Sequence, residues 1–353
     1  MTQIPSGPGD ITPAWLGAVL RDAGAIGETQ VLDLRVDHVG TFSTDVWRIE
    51  PSYGSAESRA PRRFILKCPA PDRSRSVAEL FTNEIRFYRD VSHRTPVRVP
   101  RCFFGEIEAA SGRAALLIEE IEGLVPFDFW EGATAEHLDA VVQGLARLHA
   151  HHWERADEID GPPRLADPAV QIDFATRFDR AWEENRAFFR EVSAGEFVPI
   201  GDTLLGHAVG TFASLGAPAT LLHGDAHAEN IPLRETREGP HDVVFLDWAG
   251  VQIGAASLDM AFLLAMSLRP EVRREVEEQH VHAHGQAVLA AGVPSWRDPW
   301  HAYRVGVLYR AAGLVSLIGE SVLDDEVKRG GIRLVTERCF RAAVDLDTGD
   351  LVQ

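Results

Sequence analysis

His223-Gly224-Asp225-Ala226-His227-Ala228-Glu229-Asn230, followed by the apolar run Val243-Val244-Phe245-Leu246 and then Asp247, is the stretch on which the reading of this chain turns. Asp225 offers a carboxylate that can orient a hydroxyl and accept its proton. Asn230 stands five residues further on, and Asp247 seventeen beyond that. Amide and carboxylate oxygens are hard donors of the kind magnesium takes. A set of this composition meets the needs of phosphoryl transfer. Its loose, charged transition state calls for a positioned hydroxyl, a held metal and neutralised phosphate oxygens, with little covalent work. His223 and His227 flank Asp225 and join it as catalytic candidates. His227 either touches the transferred phosphate or buttresses the loop.

Upstream, the texture is that of a sheet with one helix. Thr12-Pro13 predicts a capped helix start running to Gly24. Residues 30–37, 45–50 and 62–68 read as strands, 77–91 as a helix with Leu80, Phe81, Ile85, Tyr88 and Val91 near one face, and 102–107 with 114–121 as a hairpin. From about residue 124 the pattern turns helical, near 134–153, 172–192, 202–215, 257–268, 271–291 and 299–318. Between Ala219 and Val251 a short strand, a polar loop and a hairpin of 231–235 with 242–247, turning at Arg237-Glu238-Gly239-Pro240, break that texture. Loops held on a rigid scaffold are where chemistry collects.

The pattern His-Gly-Asp-x-His-x-x-Asn, then an apolar strand and Asp247-Trp248, resembles the catalytic and metal motifs of the aminoglycoside phosphotransferase and choline kinase families. The interval from Asp225 to Asn230 also matches the protein-kinase catalytic loop. The resemblance implies an α+β, two-lobed, protein-kinase-like fold: an N-terminal lobe over 1–119 with an antiparallel sheet and one key helix, a hinge near 119–123, and a larger helical lobe over 120–353. It implies ATP and Mg²⁺ as cofactors. Lys67, in Phe64-Ile65-Leu66-Lys67, would meet the α- and β-phosphates, and Glu84, with Glu79 as the weaker alternative, would orient it. Gly40 and Ser43 lie in the turn that would cover the phosphates, a turn with a single glycine, and the backbone of Glu120 would meet the adenine. Asn230 and Asp247 would hold the metal. Leu145–Trp153 (LARLHAHHW) and Ser257-Leu258-Asp259-Met260-Ala261 resemble further helices of the antibiotic-kinase and ecdysteroid-kinase-like branches, and Asp259 would brace the catalytic loop. Pro232 close after Asn230, and Ala249-Gly250 after Asp247-Trp248, depart from the family pattern.

Composition narrows the partners. With 53 acidic against 35 basic residues, the formal charge is −18, which opposes binding to nucleic acid or an anionic membrane and would favour a cationic acceptor. Three cysteines without a C-x-x-C pair, and an N-terminus lacking basic and apolar leader regions, fit a cytoplasmic protein. Only two lysines occur, Lys67 and Lys328, which singles out Lys67. Other groups have ordinary readings. His149 with His152, and His280, His282 and His284, lack the further ligands of a zinc site and read as surface or core histidines. Asp157-Glu158-Ile159-Asp160 and Glu183-Glu184 read as solvated faces. A metallophosphoesterase would need metal motifs that the chain lacks. A catalytically silent nucleotide-binding relative would not need the whole catalytic set. The expected activity is transfer of the γ-phosphate of ATP to a small-molecule hydroxyl.

Overall fold

The computed structural model describes residues 3–41, 44–54, 60–69, 75–108, 110–125, 127–128, 130–235, 242–318 and 326–353. These group into two compact units, Met1–Leu124 with Val244–Gly250, and Val125–Val243 with Val251–Gln353.

In the first unit, helix α1 (Pro13–Asp22) starts as its capping residues dictate: Thr12 Oγ1 accepts the Trp15 N–H at 3.1 Å, and Pro13 fills the first position. Strands β1 (Val31–Thr41), β2 (Thr44–Tyr53), β3 (Phe64–Pro69), β4 (Cys102–Glu108) and β5 (Arg113–Glu119) form one antiparallel sheet in the order β1-β2-β3-β5-β4. Strand alternation sends Phe64, Leu66 and Cys68 into an apolar layer with Leu16, Leu20, Ile49 and Leu117. Each fully buried side chain of that kind contributes about 1.5–3 kcal/mol. Ile65 and Lys67 take the alternate, partly exposed positions.

Helix α2 (Arg75–Arg86) runs on into a π turn, Phe87–Val91. The segment Val244–Gly250 joins this unit although it follows several helices of the other in sequence. Phe245 N–H donates to Arg98 O at 2.9 Å, and the Trp248 ring stacks on Phe87 with centroids 3.8 Å apart and planes 9° from parallel.

The second unit contains α3 (Ala135–His152), α4 (Pro168–Val192), α5 (Val198–Leu204), α6 (Ala208–Phe212), α7 (Ser257–Ser267), α8 (Pro270–Ala290), α9 (Pro299–Ile318) and α10 (Glu326–Asp345). Two small antiparallel pairs complete it, β6 (Thr220–Leu222) with β9 (Gln252–Gly254), and β7 (Leu233–Arg234) with β8 (Asp242–Val243). Asp167 caps α4 through the Ala169 N–H at 2.8 Å, with Pro168 at the first position, so this helix begins before the periodicity at 172 becomes visible. Every residue of α7 is buried, as expected of a helix apolar on all sides.

The second hairpin strand, expected over 242–247, is only two residues long. Val244 turns to bridge Arg98 in parallel, and Asp247 takes a left-handed backbone at φ 54° that no strand tolerates. The turn expected at 237–240 lies outside the described residues. Among the described residues, no helix is long and apolar enough to cross a membrane.

Candidate active site

Two constellations form, one in each unit. In the first, Lys67 stands on β3 opposite Val46 of β2 and Leu116 of β5. Its ammonium lies 2.6 Å from Glu84 Oε1 of α2 and 3.8 Å from Asp247 Oδ1. Glu84 is 2 % exposed, and it is the carboxylate to which Lys67 donates. Burial pushes the Glu84 carboxyl up to about 7 against the pull of Lys67, with Asp247 adding to the rise. Burial also works against the Lys67 charge, but Glu84 and Asp247 outweigh it and raise the ammonium above its ordinary value. Asp247 keeps 46 % of its side chain in solvent and stays open to a further partner.

Of the other three expected residues, two take less direct places. Gly40 follows a register shift in β1 with open space where a Cβ would stand, so the backbone there can be approached closely. Ser43 lies outside the described residues. The Glu120 N–H donates to Arg63 O at 3.3 Å, and its carboxylate holds Arg48 at 2.7 and 2.9 Å.

In the second unit the loop after β6 is built as a set of turns locked by its own side chains. Gly224 has φ 79°, a conformation that a side chain would strain. His223 is fully buried, and its Nδ1 accepts the Asp225 N–H at 3.3 Å. Asn230 Nδ2 donates to both the carbonyl (3.1 Å) and the carboxylate (3.0 Å) of Asp225. With the nitrogen committed to Asp225, the amide oxygen is the hard donor of the Asn230 side chain. His227 Nε2 stands 3.6 Å from Asp225 Oδ2. Ser267 Oγ accepts the Ala228 N–H at 2.8 Å.

The Asp225 carboxylate keeps 39 % exposure. Its partial burial works to raise its pKa, but the charge and hydrogen bond of His227, helped by Arg310 and His223, prevail and hold it below the ordinary carboxylate range. Reciprocally, burial lowers and Asp225 raises the His227 pKa, with a net rise. Arg310 itself is laid over the Phe262 ring, its Cζ 3.9 Å from the centroid, with Nε donating to Met266 Sδ at 3.0 Å.

Underneath, Asp259 of α7 accepts the His223 N–H on Oδ2 (2.7 Å) and the Gly224 N–H on Oδ1 (2.9 Å). His149 of α3 donates to the same Oδ2 at 3.0 Å. A carboxylate with no exposed surface thus ties the two successive amides that flank His223 to two helices. The sequence pointed to Asp259 as a brace but took His149 for an ordinary histidine, and Arg310 carried no motif at all. The signal that could have found His149 is its place in the LARLHAHHW run, since a fully buried Asp259 requires a helix partner.

The antiparallel five-stranded sheet with its lysine–glutamate pair, and the Asp-x₄-Asn loop braced from a buried helix, define the protein-kinase-like fold class. Solved structures similar over nearly the whole chain share that fold. Aminoglycoside 2'-phosphotransferase-IIIa in its GDP complex has a TM-score of 0.56 at 14% identity, covering 92% of this chain and 97% of that one. Macrolide 2'-phosphotransferase type I has 0.53 at 18%, covering 92% and 97%. A microcompartment-associated aminopropanol kinase has 0.52 at 14%, covering 94% and 99%. No curated protein matches the sequence. The model of the phosphotransferase enzyme family, APH, matches residues 40–300, and the chain belongs to that family. That family is one of phosphotransferase enzymes.

Proposed function

We propose that this protein transfers the γ-phosphate of ATP to a hydroxyl of a small molecule, with Asp225 as the group that receives that hydroxyl. One observation carries the reading: a half-exposed carboxylate, kept ionised by His227 and gripped by Asn230, on a loop whose backbone is pinned to a buried aspartate. An ionised Asp225 at neutral pH is an acceptor for the substrate O–H and orients its oxygen for in-line attack. A weakly basic carboxylate suits a loose transition state, in which the proton need leave only late. His223, fully buried, holds the Asp225 N–H and so sets the loop, and His227 tunes the charge.

Lys67, kept as an ammonium by Glu84, is the residue suited to α- and β-phosphate oxygens, and the unobstructed backbone at Gly40 suits a turn that would cover them. Magnesium is the ion whose chemistry suits the amide oxygen of Asn230 and the solvent-facing carboxylate of Asp247, each a hard oxygen donor, and an ion that keeps several waters needs few such ligands. When bound, the ion would neutralise phosphate oxygens. For the acceptor, an alcohol on an antibiotic or an amino alcohol is supported by what the fold relatives' names describe, a sugar remains within the same chemistry, and the −18 charge favours a cationic acceptor.

The test is an ATP-consumption screen over these acceptor classes with Asp225→Ala and Asp247→Ala beside the wild type. Asp225→Ala should abolish transfer and still bind ATP, whereas Asp247→Ala should weaken Mg-ATP binding itself. Wild-type turnover by Asp225→Ala refutes the assignment.

A further inference from the structure

Behind the brace stands a second histidine. His284 of α8 is fully buried, and its Nε2 lies 2.9 Å from His149 Nδ1, with the two rings 79° apart. The Trp296 ring packs against His284 in a T-shaped contact, with centroids 5.2 Å apart. The contacts form a continuous line: two loop amides, Asp259, His149, His284.

The protons along that line are fixed by what can donate. Backbone amides only donate, so both Asp259 oxygens accept, and the bond to His149 takes its proton from His149 Nε2. A neutral His149 is then bare at Nδ1, and His284 Nε2–H must donate to it. If His149 carries a second proton, that proton sits on Nδ1 and His284 Nε2 accepts. In both arrangements it is His284 that occupies Nδ1, and with that nitrogen taken the proton facing Asp259 stays on Nε2. Burial, helped by the neighbouring His149, pushes the His284 pKa well below its ordinary value, which keeps this ring neutral and able to serve in both arrangements.

His284 Nδ1, meanwhile, is buried with no hydrogen-bond partner among the described residues. A position chosen for packing alone would not bear an orphaned polar atom, which a leucine or phenylalanine would avoid. We infer that His284 is a positioning residue for the Asp225 loop: it holds the His149 proton on Nε2, so that Asp259 keeps both oxygens turned to the His223 and Gly224 amides. This role rests on the proposed part of Asp225 in transfer.

The experiment compares His284→Leu, His284→Gln and, as a packing control, Val288→Ala, a fully buried neighbour one turn along α8 in the adjoining apolar cluster. Nitrogen-15 histidine spectra report the ring tautomers, hydrogen exchange reports the Gly224 amide, and steady-state kinetics report turnover. His284→Leu should disturb the His149 tautomer, speed exchange at Gly224, and lower kcat by about tenfold or more, as loss of a supporting partner does elsewhere, with KM for ATP within about twofold. His284→Gln, whose side-chain amide can still donate to His149, should recover most of the loss. Val288→Ala should lower the melting temperature and leave the tautomer and kcat alone.

The inference is overturned if His284→Leu keeps the His149 tautomer and the Gly224 exchange rate of the wild type, or if Val288→Ala loses as much kcat. If neither wild type nor Asp225→Ala turns over any acceptor, the functional reading fails separately, and the spectra and exchange rates still decide the role of His284.

Discussion

Replacing Lys67 by methionine tests the buried charge pair through the pH dependence of stability. In the wild type, burial sets the Glu84 carboxyl at about 7 even with the ammonium 2.6 Å away, while an unfolded glutamate titrates near ~4.3. The folded carboxyl has the raised pKa, so its contribution to stability is complete below ~4.3 and is lost as pH rises through 7. Above 7 Glu84 is ionised in both states, and its slope ends.

Lys67→Met removes the main group that opposes burial, so the folded carboxyl of the variant titrates higher still. From pH 7 upward the variant should keep losing about 1.4 kcal/mol per pH unit, opening a gap of roughly 3 kcal/mol by pH 9. The lost hydrogen bond adds about 0.5–1.5 kcal/mol at every pH. At about 2–4 °C per kcal/mol for a large domain, the melting-temperature gap should widen by roughly 6–12 °C between pH 7 and 9. Lys67 itself does not titrate in this window, because its pKa is raised above the ordinary 10.5.

Thermal melts followed by circular dichroism at pH 5.5, 7, 8 and 9 on the wild type, Lys67→Met, Glu84→Gln and the double variant provide the reading. The double variant has no buried carboxyl left to titrate there, and its gap to the wild type should stay level above pH 7. A Lys67→Met curve parallel to the wild type from pH 7 to 9, or a double variant that diverges as steeply, refutes the reasoning.

Two other substitutions probe the second unit. For the Asp225–His227 pair, the depressed carboxyl contributes stability above its unfolded value of ~3.9, and the raised imidazole contributes below its unfolded ~6.5. His227→Asn should therefore melt furthest below the wild type between those values, with the gap narrowing on both sides, and a gap independent of pH from 3 to 9 would count against the pairing. At Gly201 a Cβ would come within 2.3 Å of the Trp182 ring, which is itself stacked on Phe189. Gly201→Ala should cost about 1–3 kcal/mol of overpacking, read as a lowered melting temperature, and an unchanged melt would show that the indole can move aside.

Much of the first unit was legible in the sequence because its signals are local. Thr12-Pro13 names a helix start, alternation in Phe64–Cys68 names a strand and gives Lys67 a face, and the helical phase of α2 gives Glu84 the same face as Tyr88. Helix α10 was not singled out, and α4 was placed four residues late, since at both the apolar period is weak and in α4 the cap carries the start. The reading of the catalytic loop rested on residue types at fixed spacing, and Asp225, Asn230 and His227 do meet within hydrogen-bonding or ion-pair reach. Local patterning does not report which histidines are buried together. His149 and His284 are 135 positions apart, and no period links them.

The sequence by itself determined the residue types and intervals that phosphoryl transfer requires, because catalysis of that kind asks for particular donor atoms at nearly fixed offsets within one loop. Tertiary structure alone decided which carboxylate Lys67 would take, that Val244–Gly250 would bring Asp247 to the sheet, and that a buried aspartate and two histidines would hold the loop from beneath. The physical reason is desolvation. A charge or an imidazole acquires its partner and its pKa from what excludes water around it, and that is settled by chain segments far away in sequence.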